Sequence, residues 1–318
     1  MQLLDFEIEL QELYHNLDKL KEIGQNSDID VSGSITEINK KIDKVKSEIY
    51  SNLTSWQKIQ IARHPDRPYS LDYIKHLTED LFIEIHGDRN YGDDKAIVGG
   101  FGKIDDLTVC FIGQQKGENT KLRQYRNFGM PHPEGYRKAL RIAKLAEKFN
   151  IPIVTFIDTP GAYPGIGAEE RGQGEAIAKN MFEFFKIKVP IITIIIGEGA
   201  SGGAIALAVA DKVYMLQYTW YSVISPESCS QILFRNWDYK KLSAQILKLT
   251  SQEMHSLKLV DGVIKEPIGG AHNNFHQISN SIKKIIQKDF KFLCKKNPNQ
   301  LIQERINKFT QMGVYIEK

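Results

Sequence analysis

The chain has 318 residues, 42% of them hydrophobic and 25% charged, enough for one large core plus an appendage and too apolar to stay disordered. Its 42 basic and 39 acidic side chains leave a net charge of +3, too weak a bias to demand a nucleic acid partner. No charged leader precedes an apolar stretch at Met1, and the longest apolar run, Val189 to Ile196, is too short to span a bilayer, so a cytoplasmic or organelle-matrix location is expected.

In chain order, Leu10, Leu13, Leu17 and Leu20, and then Ile35, Ile38, Ile42, Val45 and Ile49, recur at spacings of three and four on either side of a polar break from Gly24 to Gly33. This spacing predicts two amphipathic helices, the second opening with a capping box at Ser34 and Glu37. Isolated helices of that length are marginal, so the pair reads as an antiparallel hairpin that docks on the body or on another subunit. The prolines of ARHPDRPY (Ala62 to Tyr69) end this region, and Ser70 is placed to cap a helix over Leu71 to Leu81. AIVGGFGKI and LTVCFIGQQ, parted by Asp105 and Asp106, predict a strand hairpin over Ala96 to Ile104 and Leu107 to Gln115. A polar loop to Pro133 leads to a helix over Glu134 to Phe149, a strand over Ile151 to Ile157, a glycine-rich loop and a helix over Gly172 to Phe185. Strand Val189 to Ile196, helix Ser201 to Ala210 and strand Lys212 to Gln217 continue the alternation, and the lysine-rich tail from His276 to Met312 reads as helical. Apolar strands alternating with helices imply sheets covered on both faces.

The stretch GEGASGGAIA, Gly197 to Ala206, reads as a glycine turn between strand and helix and satisfies three motifs. As G-x-G-x-x-G it is a dinucleotide fingerprint, but the next strand, Val213 to Gln217, ends without the acidic residue that should bind the ribose. As G-x-S-x-G it makes Ser201 a nucleophile, and Asp211, Asp238 and Asp261 with His255, His272 or His276 leave a triad open by chain order; a serine among glycines equally serves as a helix cap. As a helix N-terminus it offers backbone N–H groups to an enolate-like oxygen.

A second glycine-rich turn, Ile157 to Ala178, also follows an apolar strand, and two such turns on neighbouring strands make a cleft. Its DTPG mimics a GTPase element, but no G-x-x-x-x-G-K-[ST] loop lies upstream. Asp158 is placed to cap the turn, and Glu169, Glu170 and Arg171 to open the following helix. In the loop Gly117 to Gly135, Lys121, Arg123 and Arg126 interleave with Tyr125 and Phe128, a pattern that suits a phosphate or adenine as well as a solvated surface. The eight histidines lack metal-site spacing, and Cys110, Cys229 and Cys294 contain no C-x-x-C pair, so neither a zinc site nor a disulfide framework is expected.

Taken together, ARHPDRPYSLDYI, GDRNYGDDKAIVGG, RNFGMPHPEGYRKALR, IDTPGAYPGIGAEERGQGEAIA, IGEGASGGAIA, MLQYTWYSVISPE and EPIGGAH resemble, in order, the alpha subunit of the carboxyltransferase component of multi-subunit acetyl-CoA carboxylase. The resemblance implies an α/β fold, a crotonase-like spiral of ββα units at residues 61–275, with an N-terminal helical hairpin at 1–60 and C-terminal helices at 276–318. It also implies transfer of a carboxyl group from carboxybiotin, carried on a separate biotin carboxyl carrier protein and charged by biotin carboxylase, to acetyl-CoA, giving malonyl-CoA. A beta subunit, the expected bearer of zinc, completes the site, with two alpha and two beta chains together. In that scheme the Gly202 and Gly203 amides face the biotin ureido oxygen and Ser201 is a turn residue. Gly161, Ala162, Tyr163, Gly199 and Ala204, with Arg123 and Arg126, are expected to bind substrate. The compartment implied is the cytoplasm, or the plastid stroma for a plastid-encoded chain. Ala200 and Ser228 stand where glycine is usual and Glu118 where a basic residue is common, so strain is expected if either of the first two needs positive φ. The alternative is a self-sufficient crotonase-type acyl-CoA hydratase or decarboxylase.

Overall fold

The computed structural model describes residues 3–26 and 30–313. The first two helices, α1 (Ile8–Asn26) and α2 (Ser32–Ser51), close their apolar stripes on each other through Leu10, Leu13, Leu17, Ile35, Ile38, Ile42 and Val45. The expected capping box does not form: α2 starts ahead of Ser34, and Asp30 Oδ1 accepts the Ser32 N–H at 2.9 Å instead. The predicted polar break is correspondingly shorter, and residues 27–29 of it lie outside the described residues. Tyr50 donates to Glu7 at 2.7 Å and packs on Tyr218, tying the hairpin to the body.

Next come α3 (Ser55–Ala62), which straddles the expected boundary at residue 60 and packs on the sheet, and α4 (Ser70–Leu77). Ser70 does not cap α4. Its hydroxyl is buried and donates to the Gln114 carbonyl at 2.6 Å, while Asp72 accepts the Tyr69 N–H at 2.7 Å. Strands β1 (Phe82–Glu84), β2 (Ile97–Ile104) and β3 (Leu107–Gln114) form an antiparallel meander. The predicted polar loop contains a short helix, α5 (Thr120–Tyr125), before α6 (Pro133–Lys148). Then follow β4 (Ile153–Thr159), α7 (Ile166–Glu170), α8 (Gln173–Lys186), β5 (Ile191–Ala200), α9 (Ser201–Ala208), β6 (Lys212–Leu216) and β7 (Trp220–Ser222). The chain ends with α10 (Pro226–Phe234), α11 (Lys240–Ile246), α12 (Ser251–Ser256), β8 (Gly262–Ile264), α13 (Phe275–Leu293) and α14 (Pro298–Thr310). Glu169 and Glu170 close α7 rather than opening α8, because Gly172 at φ +79 separates the two helices.

The sheet runs β1-β2-β3-β4-β5-β6-β8, parallel from β3 onward, with β7 beside the end of β5. β4 and β5 are buried along their whole length, as continuous apolar strands of a parallel sheet require. Ile191 and Ile195 face α6, α8 and α9; Ile192 and Ile194 face α4, α13 and α14. The C-terminal helices are therefore one wall of the core.

Arg305 of α14 anchors that wall. Its guanidinium, fully buried, meets Asp211 at 2.9 and 2.7 Å and the carbonyls of Phe184, Ile187 and Val189 at 2.7, 2.8 and 3.1 Å. Removing the arginine strands a carboxylate and three carbonyls away from water. Arg305→Met is expected to destabilise the chain by about 3–5 kcal/mol, against a far smaller loss for Lys283→Met, which breaks an exposed pair with Asp105. Urea denaturation of the two variants checks the difference.

Candidate active site

β5 passes into α9 without a loop. Gly197 and Gly199 lie inside the strand, which extends to Ala200, and the helix opens at Ser201, so the expected glycine turn is a strand end. The reversal is made at one residue, Ser201, whose φ is +56, an unusual conformation for a side-chain-bearing residue. Ala200, at φ −104 and ψ 129, is unstrained. Ser228 lies in the first turn of α10, its N–H held by Ser225 Oγ at 3.2 Å. Neither position requires glycine, and the strain expected there is absent.

Two strand ends converge on the start of α9. A Cβ at Gly203 would sit 2.6 Å from Ala162 N and 2.6 Å from Gly161 C, so the turn after β4 rests main chain on main chain against α9. Gln114 at the end of β3 ties the two together, its amide donating to the Gly203 carbonyl at 2.6 Å and its oxygen accepting the Asp158 N–H at 3.1 Å. The first-turn N–H groups of a helix have no intrahelical acceptor, and no side chain caps α9. Gly202 and Ser201 border an apolar pocket of about 480 Å³ lined also by Ile205, Tyr221, Val223, Leu247, Met254 and Phe309.

Behind these turns lies a buried ionic cluster. Lys116 Nζ is 2.7 Å from Asp158 Oδ1 and 2.7 Å from Glu198 Oε2, and Arg63 Nε is 2.6 Å from Glu198 Oε1 while its other nitrogens reach Glu227. Burial works to raise Glu198, but Lys116 and then Arg63 outweigh it and hold the carboxyl down to about 2. Asp158, with Lys116 as its one close cation and Glu198 as a neighbouring anion, stays above the usual carboxylate range because burial prevails. Desolvation opposes the Lys116 charge, yet Asp158 and Glu198 together push its pKa up. Asp158 also accepts the Glu198 N–H at 3.0 Å. Its predicted capping role thus becomes a link between strands, and a Cβ at Gly197 would strike its carboxylate at 2.3 Å.

The other expected site residues divide. Gly161 and Ala162 are half-buried at the contact with Gly203, and Tyr163 stacks on His132 with ring centres 4.4 Å apart. Gly199 and Ala204 are buried in β5 and α9. Arg123 lines a hollow of about 170 Å³ with Arg63, Lys116, Phe128 and Glu198. Arg126 instead donates to the Lys95 carbonyl at 2.9 Å. The triad reading of Ser201 does not assemble. No described hydrogen bond joins Ser201 to a histidine: Asp211 is held by Arg305, Asp238 accepts from the Asn236 amide, Asp261 accepts the Val213 N–H, His255 is exposed on α12, His272 stacks on His64 and His276 pairs with His76. Arg63, Gln114, Lys116 and Glu198 carry no motif of their own; the only sequence signal for the last is an acidic residue ending an apolar strand, as with Asp158. Among the described residues no His, Cys, Asp and Glu group could hold a metal ion, and no helix is long and apolar enough to cross a membrane.

The family model described as acetyl co-enzyme A carboxylase carboxyltransferase-like matches residues 3–313. The chain is 57% identical to the acetyl-coenzyme A carboxylase carboxyl transferase subunit alpha of Flavobacterium johnsoniae, with all of both chains covered. It is 51% identical to the same subunit of Chlorobium phaeobacteroides, over 99% of this chain and 98% of that one. Among solved structures, transcarboxylase 12S shares 20% identity at a TM-score of 0.59 over 71% of this chain and 41% of that one. A Pseudomonas malonate decarboxylase hetero-tetramer in complex with coenzyme A shares 13% at 0.60 over 76% and 94%. These two likenesses concern the fold, which is crotonase-like. From the full-length matches, the chain belongs to the family of acetyl-CoA carboxylase carboxyltransferase alpha subunits, transferases that work with a beta subunit.

Proposed function

We propose that this chain supplies the biotin side of a carboxyltransferase site, at which the carboxyl group of carboxybiotin passes to acetyl-CoA to give malonyl-CoA in fatty-acid synthesis. The observation that supports the reading is the uncapped start of α9, whose Gly202 borders an apolar pocket while Gly203, next in the first turn, is buried against the turn after β4. A bicyclic ring with one polar carbonyl suits that combination, with the ring in the pocket and the ureido oxygen on the N–H groups. Negative charge grows on that oxygen as the carboxyl group leaves, and each donor aimed at it is worth about 3 kcal/mol in the transition state. Among the described residues the pocket lining holds no carboxylate, histidine or lysine, and the base for the acetyl methyl proton in this reading is the ureido nitrogen itself. The enolate then attacks carbon dioxide.

In this reading the biotin arrives on a biotin carboxyl carrier protein, is carboxylated by biotin carboxylase, and is a substrate for this chain rather than a resident group. The beta subunit holds acetyl-CoA and the zinc, two alpha and two beta chains assemble, and the complex works in the cytoplasm. Each loop arginine donates once to a main-chain carbonyl, Arg123 to Gly117 and Arg126 to Lys95, and Arg123 is the better candidate for a phosphate because it also lines the hollow beside Lys116.

Decarboxylation of malonyl-CoA in the presence of biocytin is expected only when this chain and its beta partner are mixed. Turnover by this chain alone would point to the self-sufficient crotonase reading. In the verified complex, Gly203→Ala forces the two turns apart and is expected to lower kcat roughly a hundredfold. Ser201→Ala should stay within a few-fold of wild type, and abolished turnover in a folded complex would revive a serine nucleophile.

Ala200 is the N-cap residue, and an N-cap hydroxyl bonds the second or third helical N–H, here Gly202 or Gly203. Ala200→Ser is therefore expected to raise the melting temperature of the complex while lowering kcat, as measured by calorimetry and the same assay.

A further inference from the structure

Lys116 reaches from the segment after β3 into the space between the ends of β4 and β5. Its two carboxylate partners belong to different strands. Asp158 precedes the Gly161–Ala162 turn by three residues and Glu198 precedes Gly202 by four, so one ammonium at 2.7 Å from each spans the junction on which the Gly202–Gly203 amides sit. Two further side-chain ties join these turns among the bonds described above, the neutral Gln114 and the Asp158 carboxylate that accepts the Glu198 N–H, and Lys116 is the cation that lets that carboxylate sit there.

The lysine is poorly placed to hold a substrate anion. Its side chain is 14% exposed and already engaged on both carboxylates. The local charges, Arg63, Lys116 and Arg123 against Asp158, Glu198 and Glu227, balance and leave no positive excess to attract one. Taking the ammonium away leaves Asp158 and Glu198 facing each other in a buried space with Arg63 as their remaining cation, and Arg63 touches only Glu198 and Glu227 of this group. Two like charges in a low-dielectric interior repel, or Asp158, already raised by burial, takes up a proton to relieve them; either way the ionic bridge between the two turns is lost.

We propose that Lys116 is a positioning residue for carboxyl transfer: by bridging Asp158 and Glu198 it holds the β4 turn and the β5–α9 junction in register, and so aims the Gly202–Gly203 amides. This rests on the role proposed above for those amides. It places a determinant of turnover in a residue that touches no reacting atom.

The test uses the complex with the beta subunit and three forms of this chain: wild type, Lys116→Met, and Lys116→Met combined with Asp158→Asn. The neutral carboxamide introduced by Asp158→Asn keeps an oxygen for the Glu198 N–H and removes the uncompensated carboxylate. In malonyl-CoA decarboxylation with biocytin, Lys116→Met is expected to lose roughly a hundredfold in kcat with KM for malonyl-CoA changed by no more than about twofold. The double variant is expected to return to within about tenfold of wild type. A Lys116→Met complex with wild-type kcat overturns the inference. So does a double variant that folds and assembles yet stays as slow as the single one with raised KM, since that marks a lysine gripping substrate directly. If Lys116→Met does not assemble, the double variant decides alone: turnover within about tenfold of wild type supports the bridge, and a loss near a hundredfold overturns it. An inactive wild-type complex would instead sink the functional assignment on which the inference stands.

Discussion

Main chain meets main chain where the turn after β4 touches the start of α9, and most of the surrounding chemistry follows from that contact. Two backbones approach this closely only where one lacks a Cβ, and Gly203 is that residue, with Ala162 N and Gly161 C where its side chain would be. The approach leaves polar groups of both strand ends out of ladder pairing, and buried polar groups must be satisfied. Gln114 serves the Asp158 N–H and the Gly203 carbonyl, and Asp158 serves the Glu198 N–H. Using a carboxylate as an acceptor in the interior then demands a cation, which Lys116 provides.

The same logic recurs at the margins of the sheet. Arg67, in the link between α3 and α4, makes a bidentate pair with Glu266 after β8 and donates to the Ile196 carbonyl of β5 at 2.7 Å. Arg305 does likewise for α14. Each of these arginines joins a peripheral segment to a strand end or to the chain beside it. Buried ion pairs add little net stability once desolvation is counted, and what they supply here is registry: a guanidinium fork fits one geometry, whereas the apolar faces of α13 and α14 would tolerate a sliding fit.

How far the sequence reveals this architecture depends on the length of each signal. The β2–β3 hairpin, α6, β4 and α8 emerge within a few residues because long apolar patterns leave one interpretation. β1, β7 and β8 have three residues each and exist only because longer strands template them. GEGASGGAIA misleads for a physical reason. Glycine ordinarily punctuates a strand, but Gly197 clears room for the Asp158 carboxylate and Gly199 lies against Tyr221 inside β5, so the strand runs on and a serine takes the left-handed conformation. The family is legible because seven runs of residues stand in one order. Lys116 is not, because a lone lysine in a KG pair says nothing until β4 and β5 are neighbours.

The abruptness of the β5–α9 junction bears directly on what the site can do. A helix entered through a loop normally acquires a serine, threonine or aspartate cap that takes up the N–H of its second or third residue. Here the preceding residue is still strand, Ala200 pairing with Ser222 of β7 while Gly199 before it pairs with Thr159 of β4, and its side chain is a methyl group with no oxygen to offer. The first-turn amides of α9 are therefore left without a side-chain cap, with the positive end of the helix dipole behind them. Ser201 absorbs the reversal at a cost of roughly 1–2 kcal/mol. A cap and the ligand proposed above would draw on the same donors, and the local sequence, with alanine before the helix and glycines in its first turn, supplies no side-chain oxygen to compete.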